Sequence, residues 1–232
     1  LRLLLFREDF MIRFCILLIV LINPLMSLAG VEIGGSRLIY EGNARQAALS
    51  ISNPDDYPYL IQAWVDKDPT QRHSDNTFIA TPPLFRLEPH TQNSVRIVYT
   101  GAALPADRES LYWLSIKSVP GTPKEETNRL LITVKSVFKL FYRPAGLPGD
   151  AATAFEKITF RRQGDRIYAS NPTPFYISFY ELKMGNAKLK SLPVLSPLSE
   201  QAIDFPPGTA GTLSWRAIND YGGITDVRTA KI

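Results

Sequence analysis

Hydrophobic residues in this chain fall mostly at every second position, in short runs bounded by Gly, Pro, Asn and Asp. After Ala29 such runs cover residues 36–40, 46–52, 59–65, 78–80, 94–99, 110–119 and 129–142. Further runs cover 158–161, 166–170, 176–182 and 212–217. Helical periodicity is nearly absent. A side-chain period of two belongs to a strand with one buried face, and short strands at this spacing predict β-sandwiches. The strongest interruption is Pro144-Ala145-Gly146-Leu147-Pro148-Gly149-Asp150. A proline fixes φ and cannot donate to a sheet ladder, so the preceding strand must end there. The pattern therefore predicts an all-β chain of two sandwich domains, at 30–144 and 151–232, joined by a linker at 145–150. No internal repeat or low-complexity tract is evident.

Before Gly30 the pattern is different. Met11-Ile12-Arg13 is a short basic start, and residues 14–22 form an apolar run that Asn23-Pro24 breaks. Ser27-Leu28-Ala29 then places small residues three and one positions before a cut. That layout is a secretory signal peptide cleaved after Ala29, and the run is far short of the roughly 20 residues a spanning helix needs. Residues 1–10 precede the first methionine and are set aside.

Composition narrows the function. The single cysteine, Cys15, lies in the segment expected to be removed, so core packing alone must hold the exported protein together. Residues 1–29 carry three arginines and two acids, so removing them lowers the formal charge from +4 to +3. That mild excess is too small to imply a nucleic-acid partner. His73 and His90 sit in polar, turn-rich stretches without partners at metal-ligand spacing, so neither a metal nor a cofactor is expected. No G-x-S-x-G, no phosphate-cradling glycine loop and no Ser/His/Asp ordering stands out, and an enzyme is not expected. Acid pairs such as Asp55-Asp56 and Glu125-Glu126 read as solvated loops.

One strand is unusual. "NRLLITVKSVFKLFYRPAGLPGD" (128–150) alternates Leu130, Ile132 and Val134, then sets Lys139 among Phe138, Leu140, Phe141 and Tyr142, and stops at Arg143-Pro144. Read by pattern alone, Leu130, Ile132 and Val134 face the protein's own core. They share parity with Phe138, Leu140 and Tyr142, so a separate role for them calls for a bulge or twist between Val134 and Phe138.

Four stretches carry a resemblance: "TPPLFRLEP" (81–89), "LPADRESLYW" (104–113), "KLFYRP" (139–144) and "INDYGG" (218–223). In this order, with "SNPDDYPYLIQAWV" upstream and "ASNPTPFYISFYEL" between the last two, the chain resembles the periplasmic pilus-assembly chaperones, the PapD-like family. The resemblance spans essentially all residues after Ala29. It implies two immunoglobulin-like sandwiches set at an angle with a cleft between them. It also implies a periplasmic, non-catalytic chaperone that binds, folds and caps pilus subunits by lending them a strand, then delivers them to an outer-membrane usher. On that resemblance Leu130, Ile132 and Val134 are the donor strand. Arg37 and Lys139, with Ser36 adding a hydroxyl, hold the subunit's C-terminal carboxylate. Glu109, Arg143 and Asp220 form an ion network between the domains. Neither nucleic acid nor stable membrane insertion is implied. An exposed hydrophobic edge is an aggregation hazard, and self-association of the free protein is one way to cap it. The loop at 121–128 is short and the second domain lacks the cysteine pair of some members. A structural fibre subunit or adhesin is the competing reading, but it would need an N-terminal donor extension and usually a cysteine pair. A carbohydrate-binding or hydrolytic module is a third, which glycan binding or turnover would reveal.

Overall fold

The computed structural model describes residues 30–70, 76–121, 131–164 and 166–232. The predicted leader, His73 and Leu130 lie outside the described residues. The first half contains β1 (Glu32–Ile33), β2 (Arg37–Glu41), β3 (Ala47–Ser52), β4 (Tyr59–Asp66) and β5 (Phe78–Thr81). It continues with β6 (Leu84–Leu87), β7 (Gln92–Tyr99), β8 (Ser110–Pro120) and β9 (Val134–Arg143). One sheet has the order β1-β3-β7-β5 and the other β2-β9-β8-β4-β6. Alternation built their shared core: Ile51, Ile61, Val95, Ile97, Leu114 and Leu140 have no measurable exposure, while their immediate neighbours in sequence are mostly exposed or half-buried.

The second half begins with a short 3₁₀ turn at Ala154–Lys157, followed by β10 (Thr159–Gln163), β11 (Arg166–Asn171), β12 (Ile177–Met184) and β13 (Ala187–Lys188). Then come β14 (Val194–Leu195), β15 (Ser199–Ile203), β16 (Leu213–Ala217) and β17 (Arg228–Ala230). A sheet ordered β10-β11-β15 covers one side of a separate core, and β13-β12-β16-β17 covers the other, with β14 also pairing β12. Trp215 lies in that core, and its indole N–H donates to the Phe155 carbonyl at 2.9 Å.

Two features depart from the pattern reading. Of the bulge or twist expected in β9, the bulge is absent: its antiparallel register with β8 runs unbroken from Ser118↔Val134 to Ser110↔Tyr142. Length separates the two ends of the strand instead. On one face, Leu140 is fully buried and Phe138 and Tyr142 pack on the core, while Val134 is 51% exposed. The strand outruns its own core.

The second departure is a repeat that residue identity conceals. Asn53 and Asn171 are both 1% exposed, each between a serine and a proline. Asn53 Nδ2 donates to Tyr57 O at 2.8 Å and Glu88 O at 3.0 Å, and its Oδ1 accepts from Asp55 N at 3.1 Å. Asn171 Nδ2 donates to Phe175 O at 2.7 Å and Ser196 O at 3.0 Å, and its Oδ1 accepts from Thr173 N at 3.0 Å. The carbonyl partners match too. Two residues after Glu88 stands His90 at φ 53°, and two after Ser196 stands Leu198 at φ 50°, the only non-glycine positive φ values among the described residues. One buried amide thus satisfies the same orphan backbone groups at the same corner of both sandwiches.

Candidate functional site

Strand β2 pairs with β9 in parallel, in the register Arg37↔Lys139 to Glu41↔Arg143. It therefore covers only the later half of that edge. From Val134 to Phe138 the same edge has no neighbouring strand among the described residues. Ile132 and Val134 are 66% and 51% exposed, and Leu131 and Val137 beside them are also exposed. An exposed, apolar, unpaired edge is a template for another chain.

Arg37 and Lys139 stand side by side where the free edge ends. Arg37 Nη1 donates to the Ile218 carbonyl at 2.9 Å, and its guanidinium lies 5.8 Å from the centre of the Phe141 ring. Its Nε is buried without a hydrogen-bond partner. Among the described residues, Lys139 Nζ reaches only Ser178 Oγ, at 3.5 Å. Neither cation has an ion pair among the described residues. Burial lowers the pKa of both side chains; the Arg37 charge lowers Lys139 further, while Asp220 and Glu109 partly support Arg37. Two half-buried cations without a counter-ion make a site that favours an anion. Ser36 is exposed in the bend before β2, its hydroxyl pressed against Gly222 closely enough that a Cβ there would sit 2.6 Å away.

Arg143 is occupied. Its Nε donates to Glu109 Oε1 at 2.7 Å, and its Nη1 and Nη2 grip Asp220 Oδ2 and Oδ1 at 2.8 and 3.1 Å. The other Glu109 oxygen accepts from Tyr176 N at 2.8 Å, and Glu109 N donates to Pro174 O at 2.9 Å. One carboxylate from the first sandwich is thereby clasped by the backbone of the second. Burial opposes the Arg143 charge, but Asp220 and Glu109 outweigh it and raise its pKa. For Glu109, burial raises the pKa and outweighs Arg143 and the Tyr176 amide.

All three ion-network residues expected from sequence thus meet, as do Arg37 and Lys139, whereas Ser36 lies against Gly222. Sequence reasoning missed Ile218 O, Ser178, the Tyr176 amide and the Phe141 platform, because backbone groups and partners in another domain leave no local pattern. Glu41, 3.4 Å from Arg143, was accessible: it lies four residues after Arg37, as Arg143 lies four after Lys139.

Residues 30–148 match the family model described as "Pili and flagellar-assembly chaperone, PapD N-terminal domain", and residues 153–229 match "Pili assembly chaperone PapD, C-terminal domain". The chain belongs to the PapD family of pilus-assembly chaperones. It is 36% identical to the chaperone protein FimC of Escherichia coli K12 over 232 residues, covering 96% of this chain and 95% of FimC. Chaperone protein caf1M of Yersinia pestis is 38% identical over 218 residues, with 84% and 83% covered. Among solved structures, the SafB chaperone of Salmonella enterica, in complex with the SafA pilin, superposes with a TM-score of 0.79 at 32% identity, covering 89% of this chain and 98% of that one. PapD-family chaperones are periplasmic and non-catalytic, and act on pilus subunits by donor-strand complementation. Two immunoglobulin-like sandwiches, expected from the sequence, are the fold this family shares.

Proposed function

We propose that the free edge of β9 receives a strand of an unfinished pilus subunit, and that Arg37 and Lys139 bind that subunit's C-terminal carboxylate. The observation that carries this is a juxtaposition. β2 begins, in register with Lys139, where the free edge stops, and both side chains at that step are cations lacking a counter-ion. A carboxylate offers about four lone-pair sites; arginine can engage it through two parallel N–H bonds and lysine adds a compact charge. With its end held there, the client's strand runs in the same direction as β9.

Val134 shares a face with Phe138 and Leu140, and Ile132 and Leu130 share its parity. Their side chains would enter the open core of the subunit as an extension of the chaperone's own. Burying three aliphatic side chains is worth roughly 5–9 kcal/mol before ordering costs, which suits a transient holder. Fixing the chain end also sets register, since a one-residue slip would turn every client side chain to the wrong face. Glu109, Arg143 and Asp220 set the angle between the sandwiches, and Ser36 adds a hydroxyl at the rim of the cleft. A signal peptide ending at Ala29 exports the chain, and loaded subunits pass to an outer-membrane usher. Self-association caps the edge when no client is bound.

The experiment is co-expression with a pilus subunit and recovery of that subunit from periplasm. Arg37→Ala and Lys139→Ala each leave a folded chaperone and abolish recovery. Normal subunit yields from both variants would overturn the assignment.

A further inference from the structure

Both cations of the proposed carboxylate site come from the first sandwich, yet the second sandwich sends a hydroxyl to the same place. Ser178 lies in β12 and is only 2% exposed. It lines the same interdomain cavity as Arg37, and its Oγ accepts from Lys139 Nζ at 3.5 Å, near the limit of a hydrogen bond. Its backbone is fixed: Ser178 O accepts from Ile218 N at 2.9 Å, and Ile218 O in turn accepts from Arg37 Nη1. The hydroxyl and the guanidinium are thus held by one and the same backbone link.

A serine hydroxyl has one hydrogen to donate and two lone pairs to accept with. Accepting from Lys139 leaves the Ser178 hydrogen without an acceptor among the hydrogen bonds of the described residues. Buried donors seldom go unused. Ser36, the hydroxyl suggested by sequence, is exposed and turned against Gly222.

We propose that Ser178 is a third binding residue for the client's C-terminal carboxylate, donating its O–H to one carboxylate oxygen while it accepts from Lys139. This rests on the carboxylate site proposed above. It makes the ligand span both domains, so client capture braces the cleft. It also sharpens selection for a free acid. A C-terminal amide would turn an NH₂ group toward guanidinium and ammonium, neither of which can accept, and would take away the second oxygen to which the hydroxyl donates.

The test uses the intact chaperone and two synthetic peptides of alternating valine and threonine, one ending in a free carboxylate and one amidated. Affinity is read by calorimetry or NMR titration, with thermal unfolding as a check on folding. The wild type binds the acid more tightly, and Ser178→Ala reduces the acid-over-amide ratio about tenfold or more, the loss expected for one hydrogen bond to a charged group. Ser178→Thr, which keeps a hydroxyl, restores it. An unchanged ratio in Ser178→Ala overturns the proposal, even if both affinities fall together. In that case a ratio lost only in Lys139→Ala leaves the carboxylate site standing. If the wild type shows no preference for the acid, the carboxylate site itself fails, and Ser178's role with it.

Discussion

Glu109→Gln changes no shape and one charge, and it should loosen the joint between the sandwiches. Both carboxylate oxygens accept hydrogen bonds, Oε1 from Arg143 Nε and Oε2 from Tyr176 N. Glutamine has one acceptor oxygen and one NH₂, so whichever way it turns, a donor meets a donor. The site is dry: the Glu109 side chain is 2% exposed and that of Arg143 is 15% exposed. Losing one hydrogen bond to a charged group costs about 1.5–3 kcal/mol, and leaving a buried cation short of its partner adds to this. Asp220 still holds Arg143, so the total falls at about 2–4 kcal/mol, below the full loss of a buried pair. Urea unfolding followed by tryptophan fluorescence measures it. Trp64 and Trp113 report on the first sandwich and Trp215 on the second, so a looser joint should both lower the midpoint and separate the transitions. Asp220→Asn is the graded control. The Asp220 side chain is 35% exposed, so it should cost less, about 1–2 kcal/mol. A Glu109→Gln change within about 0.5 kcal/mol, the range of an ordinary surface substitution, would refute the clamp. So would an Asp220 variant more damaging than the Glu109 variant, because burial would then not rank the two partners.

Burial and the Arg37 charge lower the Lys139 pKa in the free protein, whereas the proposed carboxylate site needs the ammonium, so on that proposal affinity should fall as pH rises while still below the ordinary lysine value. Titrating client affinity against pH would show this alkaline loss, and Lys139→Arg should abolish it. The same shift has a stability sign: the unfolded state holds this proton more tightly, so Lys139 lowers stability at neutral pH and Lys139→Met should raise the unfolding midpoint. Val134→Asp should abolish client capture yet leave chemical unfolding within about 0.5 kcal/mol of the wild type, because that side chain is 51% exposed. Asn53→Ala and Asn171→Ala should each cost about 2–4 kcal/mol in urea unfolding, since each strands several buried backbone groups at once.

The alternation of apolar residues reported most strands directly, because one face of each is buried and the other wet. It missed β6, where Leu84 is exposed and Leu87 buried within four residues, β15, whose Glu200 and Gln201 are exposed, and β1, β13, β14 and β17, which are too short to show a period. The pairing of Arg37 with Lys139 was reached through family resemblance, and spacing could not have supplied it. A parallel pairing between residues about a hundred positions apart leaves no mark on either segment. The same limit hid Ser178 and the Ile218 carbonyl. The asparagine corners were overlooked for another reason: Ser-Asn-Pro is short, and what repeats is a hydrogen-bonding scheme with Asp55 in one copy and Thr173 in the other. His90 and Leu198 share a left-handed backbone, which a leucine gives no reason to expect.

In the proposed mode of capture, the half-length partnership between β2 and β9 makes the fold a measuring device. From Val134 to Phe138 is five residues, a berth of about 17 Å at roughly 3.3 Å per residue. Beyond it the berth is blocked by the backbone at Arg37, so an arriving polypeptide cannot slide onward whatever its side chains. A subunit carrying extra residues after its last core strand would run aground before its apolar groups reached their places. Length is judged ahead of composition, and a tail of a few residues should suffice to have an otherwise perfect cargo turned away.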